Sequence, residues 1–153
     1  MSQSVQSFLA AVTPEAADGL AAAFERLPED RREWSPGGQA RSALNLVAEC
    51  ALLNGYTADL LQTRRWPAPD LQDYLRELGV LTTQGWEPVR ALLQENTRKF
   101  SVAVAAVPDD ALDADIVMPW GTQTMTEVAA YPYWNMKYHE GQINYLIAIL
   151  SLD

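Results

Sequence analysis

Residues 135–149 read Asn-Met-Lys-Tyr-His-Glu-Gly-Gln-Ile-Asn-Tyr-Leu-Ile-Ala-Ile. Positions 135, 139, 142, 146 and 149 follow one another at +4, +3, +4 and +3, the spacing of a single core-facing seam on an α-helix. The seam is polar at Asn135, His139 and Gln142 and turns apolar only at Leu146 and Ile149. Burying three polar side chains costs free energy unless each finds a hydrogen-bond partner. This helix therefore predicts a bundle around it and polar groups on a neighbour to meet it. His139 is the single histidine of the chain.

Working outward, this last helix is expected from Thr126-Glu127 through Leu150, kinked at Pro132, which lacks a backbone donor. Before it, Ala111 to Thr124 is an acidic loop whose segment Ile116-Val117-Met118-Pro119-Trp120-Gly121 predicts a short extended or hairpin-like excursion. A third helix starts near Thr83 to Gly85, tolerates Pro88 in its first turn, and ends at Pro108-Asp109-Asp110. The second, from Ala40 to about Arg64, is crowded with apolar residues as a deeply buried helix is. Trp66-Pro67-Ala68-Pro69 ends it, and Asp70 caps a short helix through Leu78 that Gly79 stops. The first covers Gln3 to Leu27, broken or kinked where Thr13-Pro14-Glu15 restarts it, and Glu29 to Gln39 is turn material. The reading is all-α: a four-helix bundle forming a single domain over residues 1–153. Its second connection, of ~20 residues, is long enough to return the chain to the other end of the bundle.

Composition narrows the partners. Eleven Lys plus Arg against twenty Asp plus Glu give a net charge of -9, which repels phosphate backbones and anionic membranes, so neither nucleic acid nor membrane is expected. Arg64-Arg65 and Arg98-Lys99 read as solvated helix ends or faces. Cys50 is the only cysteine, which excludes an intramolecular disulfide and a cysteine cage and fits a reducing, cytoplasmic setting. The first residues lack the charged start of a targeting signal.

The partner for the polar seam is expected on helix two. Between Arg41 and Asp59 the only ionisable carboxylate is Glu49, set among Leu46, Val47, Ala48, Cys50, Leu52 and Leu53, with Asn45 one turn before it. If helices two and four are neighbours, Asn45 and Glu49 converge on Asn135 and His139 as two i, i+4 pairs, the way bundles build internal sites.

The run Asn135-xxx-His139-Glu140-Gly141-Gln142-Ile143 resembles the last-helix signature of DinB-like proteins, two histidines four apart followed by x-Gly-Gln-Ile. Arg41-Ser42-x-Leu44 leading into one polar ligand position on helix two is similar to that family as well, as is the layout of four long helices. The resemblance implies a divalent metal ion, such as zinc, nickel or manganese, held by residues at three positions: Glu49, Asn135 and His139. Two of the three histidines usual there are replaced. Glu49 stands for the helix-two histidine and Asn135 for the first of the helix-four pair. The resemblance also implies a thiol-transferase-like activity, and an open position on such an ion would serve a transferase or hydrolase.

The same residues support a metal-free reading, a small-molecule-binding or structural dimeric bundle with a buried Glu49–His139 pair. Lys137 and Glu140 are expected in solvent, Gly141 at a close helix approach, and Gln142 as the partner of a buried polar group. Cys50, about 100° around the helix from Glu49, is expected to pack rather than react. Tyr131, Tyr133, Trp134 and Tyr138 form an aromatic collar that walls a pocket with Trp120, for a small-molecule ligand, or a homodimer interface.

Overall fold

The computed structural model describes residues 4–68 and 70–150. In chain order it has α1 (Val5–Glu25), α2 (Ala43–Thr63), α3 (Leu71–Thr83), α4 (Trp86–Ala105), β1 (Asp115–Met118), β2 (Gly121–Thr124) and α5 (Met125–Ile149). The four long helices form the bundle, so the all-α fold expected from the sequence is the fold observed. α3 lies inside the long second connection. β1 and β2 pair antiparallel from Asp115↔Thr124 to Met118↔Gly121, which makes the excursion before the last helix a hairpin.

Side-chain pairings set the helix directions. Phe24 meets Trp86 with ring centroids 4.2 Å apart, and Gln6 at the other end of α1 donates to the Val107 carbonyl at 3.0 Å, so α1 and α4 are antiparallel. Asn96 donates to the Ala51 carbonyl at 2.8 Å and Asn54 to Thr97 Oγ1 at 2.9 Å, an ascending match that makes α2 and α4 parallel. α5 runs against α2, since Asn54 meets Met136 and Glu49 meets His139. The long connection thus does return the chain before the next helix begins. α1 and α2 each pack on both α4 and α5.

α2 is the central helix, with Ala43, Val47, Ala48, Cys50 and Ala51 wholly buried. It approaches α4 closely at Gly55, where a Cβ would lie 2.6 Å from Asn96 Nδ2. A larger residue there would have to push the Asn96 amide aside. α1 and α5 touch in the same way at Gly19, where a Cβ would lie 3.2 Å from Glu140 Oε2. Close helix approach therefore belongs to Gly19 and Gly55 rather than to Gly141, which is exposed with open space around its Cα. Glu140, expected in solvent, is half-buried over Gly19 and paired with Lys137.

Several boundaries differ from the sequence reading for local reasons. α1 runs unbroken through Pro14, and Thr13, instead of capping a new helix, donates its hydroxyl to the Leu9 carbonyl at 2.7 Å. α2 begins at Ala43 because Ser42 Oγ accepts the Asn45 amide at 3.3 Å, the usual N-cap bond. It ends where Arg64 turns left-handed at φ 62, a role normally left to glycine. α3 continues past the exposed Gly79 to Thr83, since burying Leu81 outweighs the ~1 kcal/mol that a mid-helix glycine costs. α5 starts from a capping box in which Thr124 and Glu127 satisfy one another's amides, and it is continuous through Pro132. Gln3, expected to open the first helix, and Pro69 lie outside the described residues. Among those described, no helix is long and apolar enough to cross a membrane.

Candidate functional site

α5 presents Asn135 and His139 to α2, both buried, and Gln142 half-buried beyond them. The seam then departs from its heptad spacing. Ile143 and Ile147 take the core positions, while Ile149 is 46% exposed. A straight α-helix drifts by ~20° per heptad, which carries the fifth member out of the interface.

His139 is bonded at both ring nitrogens. Nε2 lies 3.0 Å from Glu49 Oε1 and Nδ1 lies 2.6 Å from Gln142 Oε1. A carboxylate only accepts, so Nε2 carries a proton. Gln142 Oε1 accepts from Nδ1–H of the doubly protonated ring, and the same amide rotated by half a turn donates to a bare Nδ1. Gln142 thus satisfies a buried polar neighbour, as the sequence suggested.

The other Glu49 oxygen, Oε2, is ion-paired with Arg41 Nη1. Arg41 precedes the Ser42 cap at the positive end of α2, where a cation is disfavoured by ~0.3–1 kcal/mol. Three acceptors hold it there. Its Nε donates to Asn45 Oδ1 at 2.7 Å, an Nη donates to the Asn45 carbonyl at 3.3 Å, and Glu49 takes the remaining contact. Asn45 therefore positions Arg41 rather than facing His139, and its own amide donates to Thr82 Oγ1 at 3.3 Å. Burial acts to raise the Glu49 carboxyl, but the His139 hydrogen bond and the Arg41 charge together outweigh it and hold its pKa below the ordinary value.

Of the residues singled out in the sequence, Glu49 and His139 meet directly, while Asn135 stands aside. Its amide donates to Cys50 Sγ at 3.6 Å, a weak bond on the face of α2 turned away from Glu49. Cys50 is wholly buried, and burial, followed by the Glu49 charge, pushes its thiol well above its usual pKa. It packs as a neutral thiol.

As they stand, Glu49 and His139 are engaged with protein partners rather than open to a divalent cation. Among the described residues no three His, Cys, Asp or Glu side chains gather as a ligand group. Both Glu49 oxygens are engaged, one by the Arg41 guanidinium and one by His139, and the Asn135 amide nitrogen is turned to Cys50.

Two clefts meet at this polar centre. Glu49 lies in one of about 450 Å³, whose walls include Leu53, Trp66, Tyr74, Trp120 and Tyr131. Arg41, His139 and Gln142 line the other with Tyr138 and Tyr145. The expected collar is thus divided. Tyr131 and Trp120 wall the Glu49 cleft, Tyr138 the second, Trp134 stacks outside on Tyr138 at 5.4 Å, and Tyr133 packs against Phe8 at 6.5 Å. In the sequence, Arg41 figures only within the run that resembles the family and Trp66 only as a helix end, and Tyr74 is not singled out. For Arg41 a signal existed, because Arg41, Asn45 and Glu49 recur every four residues and mark one strip of a helix. Trp66 and Tyr74 come from the long connection, whose placement no periodicity encodes.

No family model matches the sequence, and no curated protein matches it. Among solved structures it is similar to the DinB-like protein YjoA of Bacillus subtilis, with a TM-score of 0.66 at 13% identity over 94% of this chain and 91% of that one. It is also similar to the mycothiol-dependent maleylpyruvate isomerase and to a histidine-to-alanine mutant of it, each with a TM-score of 0.71 at 12% identity over 90% of this chain. The chain spans 60% of the isomerase's length. These likenesses establish a DinB-like fold.

Proposed function

We propose that this DinB-like bundle binds a small organic molecule in the aromatic cleft at Glu49, and that its Arg41–Glu49–His139–Gln142 network serves that ligand without a divalent metal. One observation carries the reading: the Arg41 guanidinium sits on the Glu49 oxygen that His139 leaves free. A carboxylate neutralised in this way is stable inside a bundle without an ion. An imidazole hydrogen-bonded to a carboxylate is a competent proton donor and acceptor, so acid–base chemistry on a bound ligand is within its reach. The test is calorimetric titration of chelator-treated protein with zinc, nickel and manganese. No stoichiometric uptake is expected. One ion bound per chain, lost in His139→Ala, would overturn the reading.

A metal-dependent thiol transfer is the second reading, favoured by the fold shared with the mycothiol-dependent isomerase. It requires Arg41 to leave Glu49 and Asn135 to turn from Cys50 before Glu49, Asn135 and His139 could act together. The same titration decides between the two.

We also propose a homodimer through α5. Trp134, Tyr138, Tyr145 and Ile149 are exposed along one side of it, spaced almost evenly about Gly141. Antiparallel pairing of two copies would set Tyr138 against Tyr145 of the second copy with the glycines at the crossing, the self-complementary pattern of a two-fold interface. Between positions 129 and 149 the acidic and basic side chains are Lys137 and Glu140, which pair, and the buried His139, so this face lacks the repulsion that a net charge of -9 otherwise imposes. Light scattering should give a dimer in the native protein and a monomer in Tyr145→Glu. A native monomer at tens of micromolar would refute it.

A further inference from the structure

Every charged side chain that lines the Glu49 cleft is acidic. Glu49 and Asp70 face it, and among the described residues no lysine or arginine does, although Asp70 also borders a cleft lined by Arg64 and Arg65. Its remaining walls are chiefly the aromatic rings Trp66, Tyr74, Trp120 and Tyr131. These rings are braced rather than loose. Trp66 and Trp120 meet edge to face at 5.3 Å, and Tyr56 supports Trp66 at 5.9 Å and Tyr74 at 6.3 Å from behind. Carboxylates combined with π faces attract a weakly hydrated cation twice over, once by charge and once by the ring quadrupoles.

Resting on the reading that this cleft is the ligand site, we infer that its ligand is an organic cation, an alkylated ammonium group on a small uncharged body. An anion would face the two carboxylates. A small hydrated metal ion would gain nothing from four aromatic walls, and a neutral ligand would gain nothing from the carboxylates. Arg41 pairs with Glu49 and weakens its pull, but it lines the neighbouring cleft, so the charged groups that a ligand here would meet are Glu49 and Asp70. Burial and then the Glu49 charge raise Tyr131 to about 12, with the opposing effect of Arg41 the smaller of the two charges. Tyr74 is raised further by the same ordering of causes. A volume of about 450 Å³ accommodates such a head group with a compact body, within the range of small-molecule sites.

The experiment uses choline and its neutral carbon isostere, 3,3-dimethylbutan-1-ol, titrated at constant ionic strength into the full chain and followed by tryptophan fluorescence and indole N–H chemical shifts. Choline should bind at least about five-fold more tightly than the isostere, the order expected for a cation over aromatic faces. Trp120→Ala and Asp70→Asn should each weaken choline several-fold without changing the melting temperature, since Trp120 is 61% exposed and asparagine can still cap α3. Equal affinity for both probes, with both weakened by Trp120→Ala, would refute the cation and leave the cleft as a ligand site. Failure of choline to bind at about 100 mM would overturn the inference. Uptake of a metal ion in the separate titration would instead strike the metal-free reading on which it rests.

Discussion

Arg41→Met is the most informative single change, because it removes the charge from Glu49 while keeping much of the side-chain volume. Breaking a fully buried ion pair from one side costs ~3–5 kcal/mol, since the surviving charge is stranded. Here the Glu49 side chain is 14% exposed and that of Arg41 36% exposed, so water reaches the pair and part of that cost is screened. About 1–3 kcal/mol is the expected loss, or a fall in Tm of roughly 3–10 °C for a chain of this length. The sign with pH follows from Glu49. Its folded pKa lies below its ordinary value of 4.5, so it stabilises the fold above that value, and the contribution is lost as pH falls through the folded pKa. The penalty for losing Arg41 should therefore be full at pH 7 and shrink in acid, where a protonated Glu49 has no charge to neutralise. Arg41→Met combined with Glu49→Gln should recover much of the loss, a non-additivity that distinguishes a stranded charge from a mere loss of packing. Urea unfolding of the native protein and the three variants at pH 7 and pH 4 measures all of this. Additive losses, or an Arg41→Met penalty unchanged by acid, would refute the role assigned to the ion pair.

Gly55→Ala should destabilise by about 1–3 kcal/mol in urea unfolding, since its methyl would press on an Asn96 amide already committed to the Ala51 carbonyl; an unchanged midpoint would mean that α2 and α4 have room to part. Cys50 should resist a thiol reagent at pH 8 in the native protein and react on unfolding, as its burial and raised pKa demand, and rapid native labelling would contradict both. Thr124→Ala should cost ~1 kcal/mol by removing the capping box of α5, read as a lower Tm with an unchanged far-ultraviolet spectrum; no loss would mean that the hairpin alone fixes the helix start.

The helices were legible because their apolar repeats are regular, and Glu49 and His139 because a polar residue on an otherwise apolar face must have a partner. Boundaries were harder where two local signals competed. Thr13-Pro14-Glu15 has the composition of a helix start, yet Leu9 and Ala16 both face the core, and packing on either side carries the helix through. Gly79 was misjudged for the same reason, with Leu81 supplying burial beyond it. Gly141 sat beside the polar seam and suggested a close approach, but which face of a helix meets its neighbour at one position depends on where the axes cross. That is a property of the assembled bundle, so the close contacts fell at Gly19 and Gly55. Trp66 and Tyr74 lie in a connection that lacks a long repeat, and only the docking of that segment over α2 brings them to Glu49.

Arg41 combines these levels. Its place before the Ser42 cap puts a cation at the unfavourable end of α2, and local energetics alone would select against it. It is held there because Asn45 and Glu49, one and two turns on, supply acceptors along the same strip, and because Glu49 buried opposite His139 needs a positive charge. A metal ion could meet that need, and it would also lend an open coordination position and lower the pKa of bound water. A guanidinium meets only the first requirement. It stays charged, donates hydrogen bonds in a fixed plane, and accepts no lone pair. On the metal-free reading, Lewis-acid activation is thus absent from the centre, and what remains is proton exchange through His139 and Glu49 beside an acidic, aromatic cleft. The same guanidinium that lets the carboxylate stay buried lies along its own strip of α2 and lines the neighbouring cleft, while Glu49 lines the aromatic one.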